Sequence, residues 1–299
     1  MGIFPRGHLP MSKRKDGKNM FSRFNLSGLT EEFFGGKNAC KEYQSYYKNR
    51  VLPLMDNDEH PLREYLKFYL QPNGNLDSSK MEDEWFQSVS ADVFLSHSHL
   101  DETLVEGFAG WLHECCGVVA FVDSSLWGYA DDLLKDIDNA YCKNDDAITY
   151  NYKLRNASTS RVHMILMTAL AKMIDKTECL IFVNTPRSIS IEDSITKKNK
   201  TLSPWIYSEL ALSRIIRRQQ PPMYRSLTEF SHVDESNSIP MEFTAPIEHL
   251  DTLTIDNLTD WKQFMAPYIK LQDRGFPISA RQSLDYLYKL LLSSEVLHG

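Results

Sequence analysis

The stretch ADVFLSHSHLDE, residues 91–102, contains the transition that indicates the fold class of this chain. Residues 91–96 are a short apolar run of strand length, and a polar loop of Ser, His and Asp follows at once. Residues 103–116 then place apolar side chains at helical spacing, and Gly117 stands where a helix would end. A buried strand that leads through a polar loop into an amphipathic helix is the building unit of a parallel α/β sheet.

The same unit recurs towards the C-terminus. Continuous apolar runs at residues 118–122 and 179–183 predict two more buried strands, and such runs are typical of a parallel sheet covered by helices on both faces. Ser203 and Pro204 are typical N-cap and first-turn residues, and they predict a helix that continues to residue 217 or 218. The remaining predictions are helices at 131–141, 161–176, 261–269 and 284–292, a turn at 127–128, a polar loop at 144–160, and strands at 239–243 and 252–255.

Residues 1–87 have a different character. Residues 1–24 carry six basic residues against one acid, which predicts a loosely ordered basic arm. Between residues 30 and 70, aromatic and apolar side chains recur at three- and four-residue spacing, which predicts short helices. We therefore divide the chain into a basic arm with a helical N-terminal extension, residues 1–87, and a doubly wound α/β domain, residues 88–299, with a long insertion at about 129–178.

Composition argues against several classes of protein. The 299 residues include 33 Lys and Arg against 40 Asp and Glu, a formal net charge of −7, which makes nucleic-acid binding unlikely as a function. No apolar run has the roughly 20 residues of a membrane span, and the first residues lack the apolar segment of a signal peptide. The 5 cysteines form no CxxC pair, and His97 and His99 lack the spacing of a zinc site. These features predict a cytoplasmic protein with reduced thiols and no metal.

Residues with catalytic chemistry are expected in three loops, because ligands of a doubly wound sheet bind at the carboxyl ends of its strands. These loops are residues 96–101, 123–130 and 184–205. Trp205 and Glu209 stand four residues apart, about 6 Å along a helix axis, so both project from one face. An aromatic plane beside a carboxylate suits a flat cationic ring. The same spacing also arises often by chance, with a core tryptophan and a solvated glutamate.

The order of the motifs resembles that of TIR (Toll/interleukin-1 receptor) domains. The matching stretches are DVFLSHSHLDE (92–102), FVD (121–123), CLIFVNT (179–185) and SPWIYSELALSRI (203–215). The resemblance covers residues 88–270 and implies a flavodoxin-like, doubly wound parallel sheet, the TIR fold. The chain departs from the family in the length of residues 129–178 and in the KKNK sequence at 197–200.

TIR domains are either scaffolds or enzymes that cleave NAD⁺ at the nicotinamide–ribose bond, and the W-x-x-x-E motif of the enzymes matches Trp205 and Glu209. The resemblance therefore implies an NAD⁺ nucleosidase with Glu209 as its catalytic residue. Substrate binding is assigned to Trp205, Ser96, His97, Ser98, Asp101, Asp123 and Trp127. From the residues alone, Asp123 could equally cap the turn after its strand, and Trp127 could equally have a packing role. NAD⁺ is then a substrate and no cofactor is implied. The product is ADP-ribose, or a cyclic or modified ADP-ribose if the substrate's own adenine or hydroxyl captures the ribose.

Two other functions stay open at this point. The first is a non-catalytic TIR scaffold that acts by TIR–TIR assembly, and the second is an enzyme similar to nucleoside deoxyribosyltransferases. Among TIR proteins, the chain most resembles the stand-alone bacterial antiphage type, such as the Thoeris sensor proteins. That resemblance implies self-association, a phage-derived trigger and a separate effector that responds to the product.

Overall fold

The computed structural model describes residues 22–55, 69–72, 75–85, 90–144, 148–189, 200–201, 203–216, 243–272 and 279–296. The strands in this part of the chain are β1 Ser22–Ser27, β2 Val93–Ser96, β3 Ala120–Val122, β4 Cys179–Asn184, β5 Lys200–Thr201, β6 Phe243–Thr244 and β7 Asp251–Leu253. Five of them form one parallel sheet in the order β3-β2-β4-β1-β7, while β5 and β6 form a separate antiparallel pair. The predicted parallel α/β sheet is therefore confirmed.

Helices flank this sheet. They are α1 Lys37–Tyr46, α2 Leu52–Met55, α3 Ser78–Trp85, α4 Glu102–Cys116, α5 Ser124–Tyr141, α6 Tyr152–Lys176, α7 Pro204–Ile215, α8 Ile255–Gln272 and α9 Ala280–Val296. The predicted helix at 103–116 is confirmed as α4, which ends at Gly117 in the left-handed conformation. The predicted helix after Ser203 is confirmed as α7. Ser203 is its N-cap residue, and the Ser203 hydroxyl accepts a hydrogen bond from the Ile206 N–H at 3.3 Å.

The three predicted strands at 91–96, 118–122 and 179–183 form the buried centre of the molecule. Every residue of β2 and β3 is buried, and so is every residue of β4 except Asn184. Burial on both faces is the reason that these strands are apolar throughout instead of alternating. The predicted strand at 252–255 is confirmed as β7, which begins one residue earlier and ends two residues earlier.

β1 corrects the predicted division of the chain. Residues 22–24 were assigned to a basic arm, and the α/β domain was predicted to begin at residue 88. The structure instead has Ser22–Ser27 inside the sheet, paired along its whole length with β4 and also with β7. Numbered along the chain without β1, the other four strands of the sheet have the order 2-1-3-4, which is compatible with a flavodoxin-like sheet, and β1 lies between the last two.

The N-terminal helix also belongs to the α/β layers, because α1 packs directly on α4. The closest approach is at two glycines of α4. A Cβ atom added to Gly110 would overlap the backbone carbonyl of Tyr43, and one added to Gly107 would lie 2.8 Å from Cys40 Sγ. Phe33, just before α1, completes the contact with its ring centroid 5.0 Å from that of Trp111.

Two predictions in and just before the insertion are wrong in detail. Residues 152–160 were predicted as loop but form the first turns of α6, which Asn151 caps by accepting hydrogen bonds from the Lys153 and Leu154 N–H groups. The predicted turn at 127–128 lies within α5. The predicted strand at 239–243 and the KKNK sequence fall outside the described residues, apart from Phe243 in β6 and Lys200 in β5.

The residues that the structure describes contain neither a membrane-spanning helix nor a disulfide. None of the described helices is long and apolar enough to cross a membrane. All five cysteines are described, and each is a free thiol; four of them are buried.

Candidate functional site

The carboxyl ends of β2 and β3 bring four of the predicted site residues together. Ser96 is the last residue of β2 and His97 follows it, while Asp123 comes directly after β3. Glu209 projects towards them from the second turn of α7. The chain leaves β2 in one direction to form β3 and later returns to form β4 on the other side, so the cluster lies at the topological switch point of the sheet.

Glu209 is held by a hydrogen bond from β2. The Ser96 hydroxyl donates to Glu209 Oε2 at 2.7 Å, and both side chains are completely buried. Burial raises the pKa of Glu209 well above its usual range, because a carboxylate loses its hydration there. The charge of Asp123 and a hydrogen bond with its carboxyl raise this pKa further, while the Ser96 hydrogen bond opposes them.

His97 supplies the positive charge of the cluster. Its Nδ1 lies 2.6 Å from Oδ1 of Asp123, although the contact lacks the angles of a good hydrogen bond. Burial lowers the pKa of His97, but the close contact with Asp123 and the charges of Asp101 and Glu102 together outweigh it, so the net pKa is raised. The cluster therefore favours the charged form of His97 beside Asp123, next to a Glu209 carboxyl that favours its neutral form.

This arrangement suits a carboxyl group that ionises when a cation approaches. A positive charge close to Glu209 favours the carboxylate and reverses the effect of Asp123. The Ser96 hydroxyl is already directed at Oε2 and stabilises the charged form. A neutral ligand would bring no such charge to Glu209.

A second cluster lies where β2 and β4 lead into their loops. The Thr185 hydroxyl donates to Asp101 Oδ2 at 2.5 Å, and Arg187 Nη1 donates to Asp101 Oδ1 at 3.0 Å. Asp101 was predicted to bind the substrate, but its side chain is only 5% exposed and is occupied by these two partners. Sequence analysis missed Thr185 and Arg187, although both fall in the predicted ligand loop 184–205.

The other predicted site residues have different surroundings. Trp205 is half-buried on α7, one turn before Glu209, and its ring lies edge-on to His163 of α6 with centroids 5.3 Å apart. His163 is a site neighbour that sequence analysis missed, since it lies in the insertion. Ser98 is buried and its hydroxyl makes no cap hydrogen bond to the following turn. The side chain of Trp127 lies outside the described residues.

No group of three or more His, Cys, Asp and Glu side chains in the described residues has the arrangement of a metal site. In comparisons with known proteins, no protein-family model, curated protein or solved structure matches this chain.

Proposed function

We propose that this protein cleaves NAD⁺ at the nicotinamide–ribose bond, as TIR-family enzymes do, and releases nicotinamide with ADP-ribose or a cyclic or modified ADP-ribose. The observation that carries the proposal is the Ser96–Glu209 hydrogen bond of 2.7 Å at the switch point of a parallel sheet. This hydrogen bond holds the Glu209 carboxyl, one helical turn from Trp205, at the position where such sheets bind ligands. The positively charged nicotinamide ring is the cation that would ionise Glu209.

The reaction needs few protein groups. The bond between ribose C1′ and the ring nitrogen breaks, and its electron pair leaves with nicotinamide, which becomes neutral and needs no general acid. The ribose becomes oxocarbenium-like, and the Glu209 carboxylate stabilises that charge. Water then adds to C1′ and releases a proton; a hydroxyl or adenine nitrogen of the same molecule gives the cyclic product instead. Because Glu209 is completely buried, NAD⁺ must displace the side chains that cover it.

The test is incubation of the purified protein with NAD⁺, with Glu209→Gln as the matched control. Nicotinamide and adenine-containing products are followed by chromatography and mass spectrometry. Release by the wild type alone is expected, and the product mass separates hydrolysis from cyclisation. Equal release of nicotinamide by both proteins would contradict the assignment of Glu209 as the catalytic residue. No release at any protein concentration, including lysate from phage-infected cells that supplies a trigger, would contradict the proposal.

The pH dependence of the reaction is expected to follow the ionisation of Glu209. Asp123→Asn removes the charge that raises the pKa of Glu209, so the rising limb of kcat/KM against pH should move to lower pH. Ser96→Ala removes the hydrogen bond that lowers this pKa, so the limb should move to higher pH. A pH series of initial rates measures both shifts. Shifts of the same sign in the two variants would refute this assignment.

A non-catalytic scaffold is the second candidate, and one observation favours it: Glu209 is 0% exposed. A scaffold acts through TIR–TIR self-association and has no need of an accessible carboxylate. It predicts that wild type and Glu209→Gln show the same concentration-dependent assembly by light scattering and that neither releases nicotinamide. The proposed enzyme also self-associates and signals to a separate effector, so assembly alone does not distinguish the two; nicotinamide release does.

A further inference from the structure

Arg187 is a surface cation that the fold holds in a fixed position. Its Nη1 donates to Asp101 Oδ1 and to the Leu100 carbonyl oxygen, each at 3.0 Å. Its backbone N–H donates to the Thr185 hydroxyl at 3.1 Å, and that hydroxyl donates to the other oxygen of Asp101. The guanidinium is thus held through one of its nitrogens, Nη1, while the side chain as a whole remains 61% exposed.

The Asp101 carboxylate binds Arg187 and Thr185 instead of capping α4. It is the N-cap residue of α4, yet its side chain makes no cap hydrogen bond. Its carboxylate instead binds Thr185 and Arg187, which come from the end of β4. The Asp101 carboxylate is buried, and each of its oxygens accepts a hydrogen bond from the loop after β4. It therefore holds Nη1 of Arg187 more firmly than a solvent-exposed carboxylate would.

The position of Arg187 relative to Glu209 follows from the register of the sheet. Ser96, which binds Glu209, is paired with Phe182 of β4. Thr185 lies three residues beyond Phe182, which is about 10 Å along the strand direction. Arg187 therefore follows the same carboxyl end of the sheet, where open α/β sheets form their ligand crevice, and it lies farther out along the strand direction than the buried Ser96–Glu209 pair.

The acidic groups around the crevice explain why the positive charge of Arg187 would matter for binding an anion there. Glu209 adds a negative charge at these strand ends when it ionises, Asp123 lies beside it, and the chain as a whole has a formal net charge of −7. An anionic ligand would be repelled unless a fixed positive charge met it at the entrance. Guanidinium has the planar set of N–H donors that phosphate oxygens accept in pairs.

We propose that Arg187 binds the pyrophosphate of the dinucleotide while Glu209 acts on the nicotinamide ribose, one sugar away. This assignment rests on the proposed function, since it takes NAD⁺ as the ligand of the crevice. Asp101 and Thr185 are positioning residues that hold Arg187 at the rim. The subsite takes ligands with a diphosphate bridge and discriminates against nucleosides that lack one.

The test is a binding measurement that requires no catalysis. ADP-ribose and adenosine are titrated calorimetrically into wild type, Arg187→Gln and Arg187→Lys, with Arg161→Gln as the matched control, because Arg161 is an exposed arginine of α6. Arg187→Gln should weaken ADP-ribose binding about 10- to 100-fold and leave adenosine binding within about twofold. Arg187→Lys should retain part of the affinity, and Arg161→Gln all of it. Increasing salt should weaken ADP-ribose binding more in the wild type than in Arg187→Gln.

The outcomes separate this inference from the proposed function. Unchanged ADP-ribose affinity in Arg187→Gln, equal losses for ADP-ribose and adenosine, or no ADP-ribose binding by the wild type would each overturn the inference. Selective loss of ADP-ribose binding in a protein that never releases nicotinamide would support the subsite and contradict the enzyme. In an active protein, Arg187→Gln should raise the KM for NAD⁺ about 10-fold with kcat within about threefold.

Discussion

Glu209→Gln is expected to reduce nicotinamide release about 1,000-fold and, at the same time, to raise the melting temperature of the protein. The loss of activity follows because glutamine has no charge with which to stabilise the oxocarbenium ribose. The gain in stability follows because the wild-type carboxyl is completely buried beside Asp123. Glutamine has nearly the same shape and keeps an oxygen that can accept the Ser96 hydrogen bond.

The sign of the stability effect depends on pH. Folding raises the pKa of Glu209 above its ordinary value of 4.5, so the folded chain binds this proton more tightly than the unfolded chain. The resulting stabilisation is complete below about pH 4.5 and is lost as pH rises through the raised pKa. Each unit of pKa shift corresponds to about 1.4 kcal/mol, or about 2–4 °C of melting temperature in a chain of this size. The variant's advantage should therefore grow as the pH rises above about 4.5.

Glu106→Gln provides the matched control for these melting curves. Glu106 is also a buried glutamate, but it accepts a hydrogen bond from Gln44 at 2.7 Å and forms an ion pair with Lys48 at 2.9 Å. Its replacement should lower the melting temperature at neutral pH. If Glu209→Gln also melts below the wild type at pH 8, then the buried Glu209 carboxyl does not destabilise the fold.

Gly110→Ala is expected to destabilise the protein by about 3 kcal/mol or more, at the upper end of the cost of overpacking. Alanine at an exposed helical position stabilises a helix relative to glycine. Here its Cβ would overlap the Tyr43 carbonyl, and both partners are helix backbone. Neither can rotate away, so α1 would have to move off α4. Urea unfolding followed by tryptophan fluorescence measures the loss, and Trp111 lies one residue from the substitution.

A graded series distinguishes backbone overlap from a general sensitivity of α4. Gly107→Ala should cost less, because its added Cβ would lie 2.8 Å from Cys40 Sγ and 3.0 Å from the Cys40 carbonyl oxygen, a smaller overlap than the one with the Tyr43 carbonyl at Gly110. Glu114→Ala, at an exposed position of the same helix, should change stability by less than about 0.5 kcal/mol. A loss for Gly110→Ala no larger than that for Glu114→Ala would contradict a close α1–α4 crossing.

The central strands and the helices after them could be predicted from sequence because burial on both faces leaves an unbroken apolar run. β1 could not, because SRFNLS mixes polar and apolar residues. Arg23 is nevertheless buried there, with its guanidinium bound to the Ser213 and Ile216 carbonyl oxygens at the end of α7. That partner is remote in sequence, so the local pattern of residues 22–27 resembles an exposed segment.

Some residues of the candidate site could be predicted from the sequence, but its geometry could not. Ser96, His97 and Asp123 were expected at strand ends, and the structure brings them together with Glu209. Their roles depend on contacts between elements far apart in sequence. Burial and the neighbouring Asp123 raise the pKa of Glu209, and no local pattern encodes either cause. Arg187 was missed for the same reason, since only its contact with Asp101 distinguishes it from other loop arginines.

The interior position of β1 has a consequence for synthesis on the ribosome. β1 emerges early, but 190 residues separate Arg23 from the Ser213 carbonyl that it binds. At about 5–20 residues per second, translation needs roughly 10–40 s to synthesise the residues up to Ser213. The edges of β1 therefore remain unpaired while the later strands are made. Long delays of this kind favour aggregation and chaperone binding. Nascent chains arrested before β4 should therefore bind chaperones through residues 22–27, and chains arrested beyond α9 should release them.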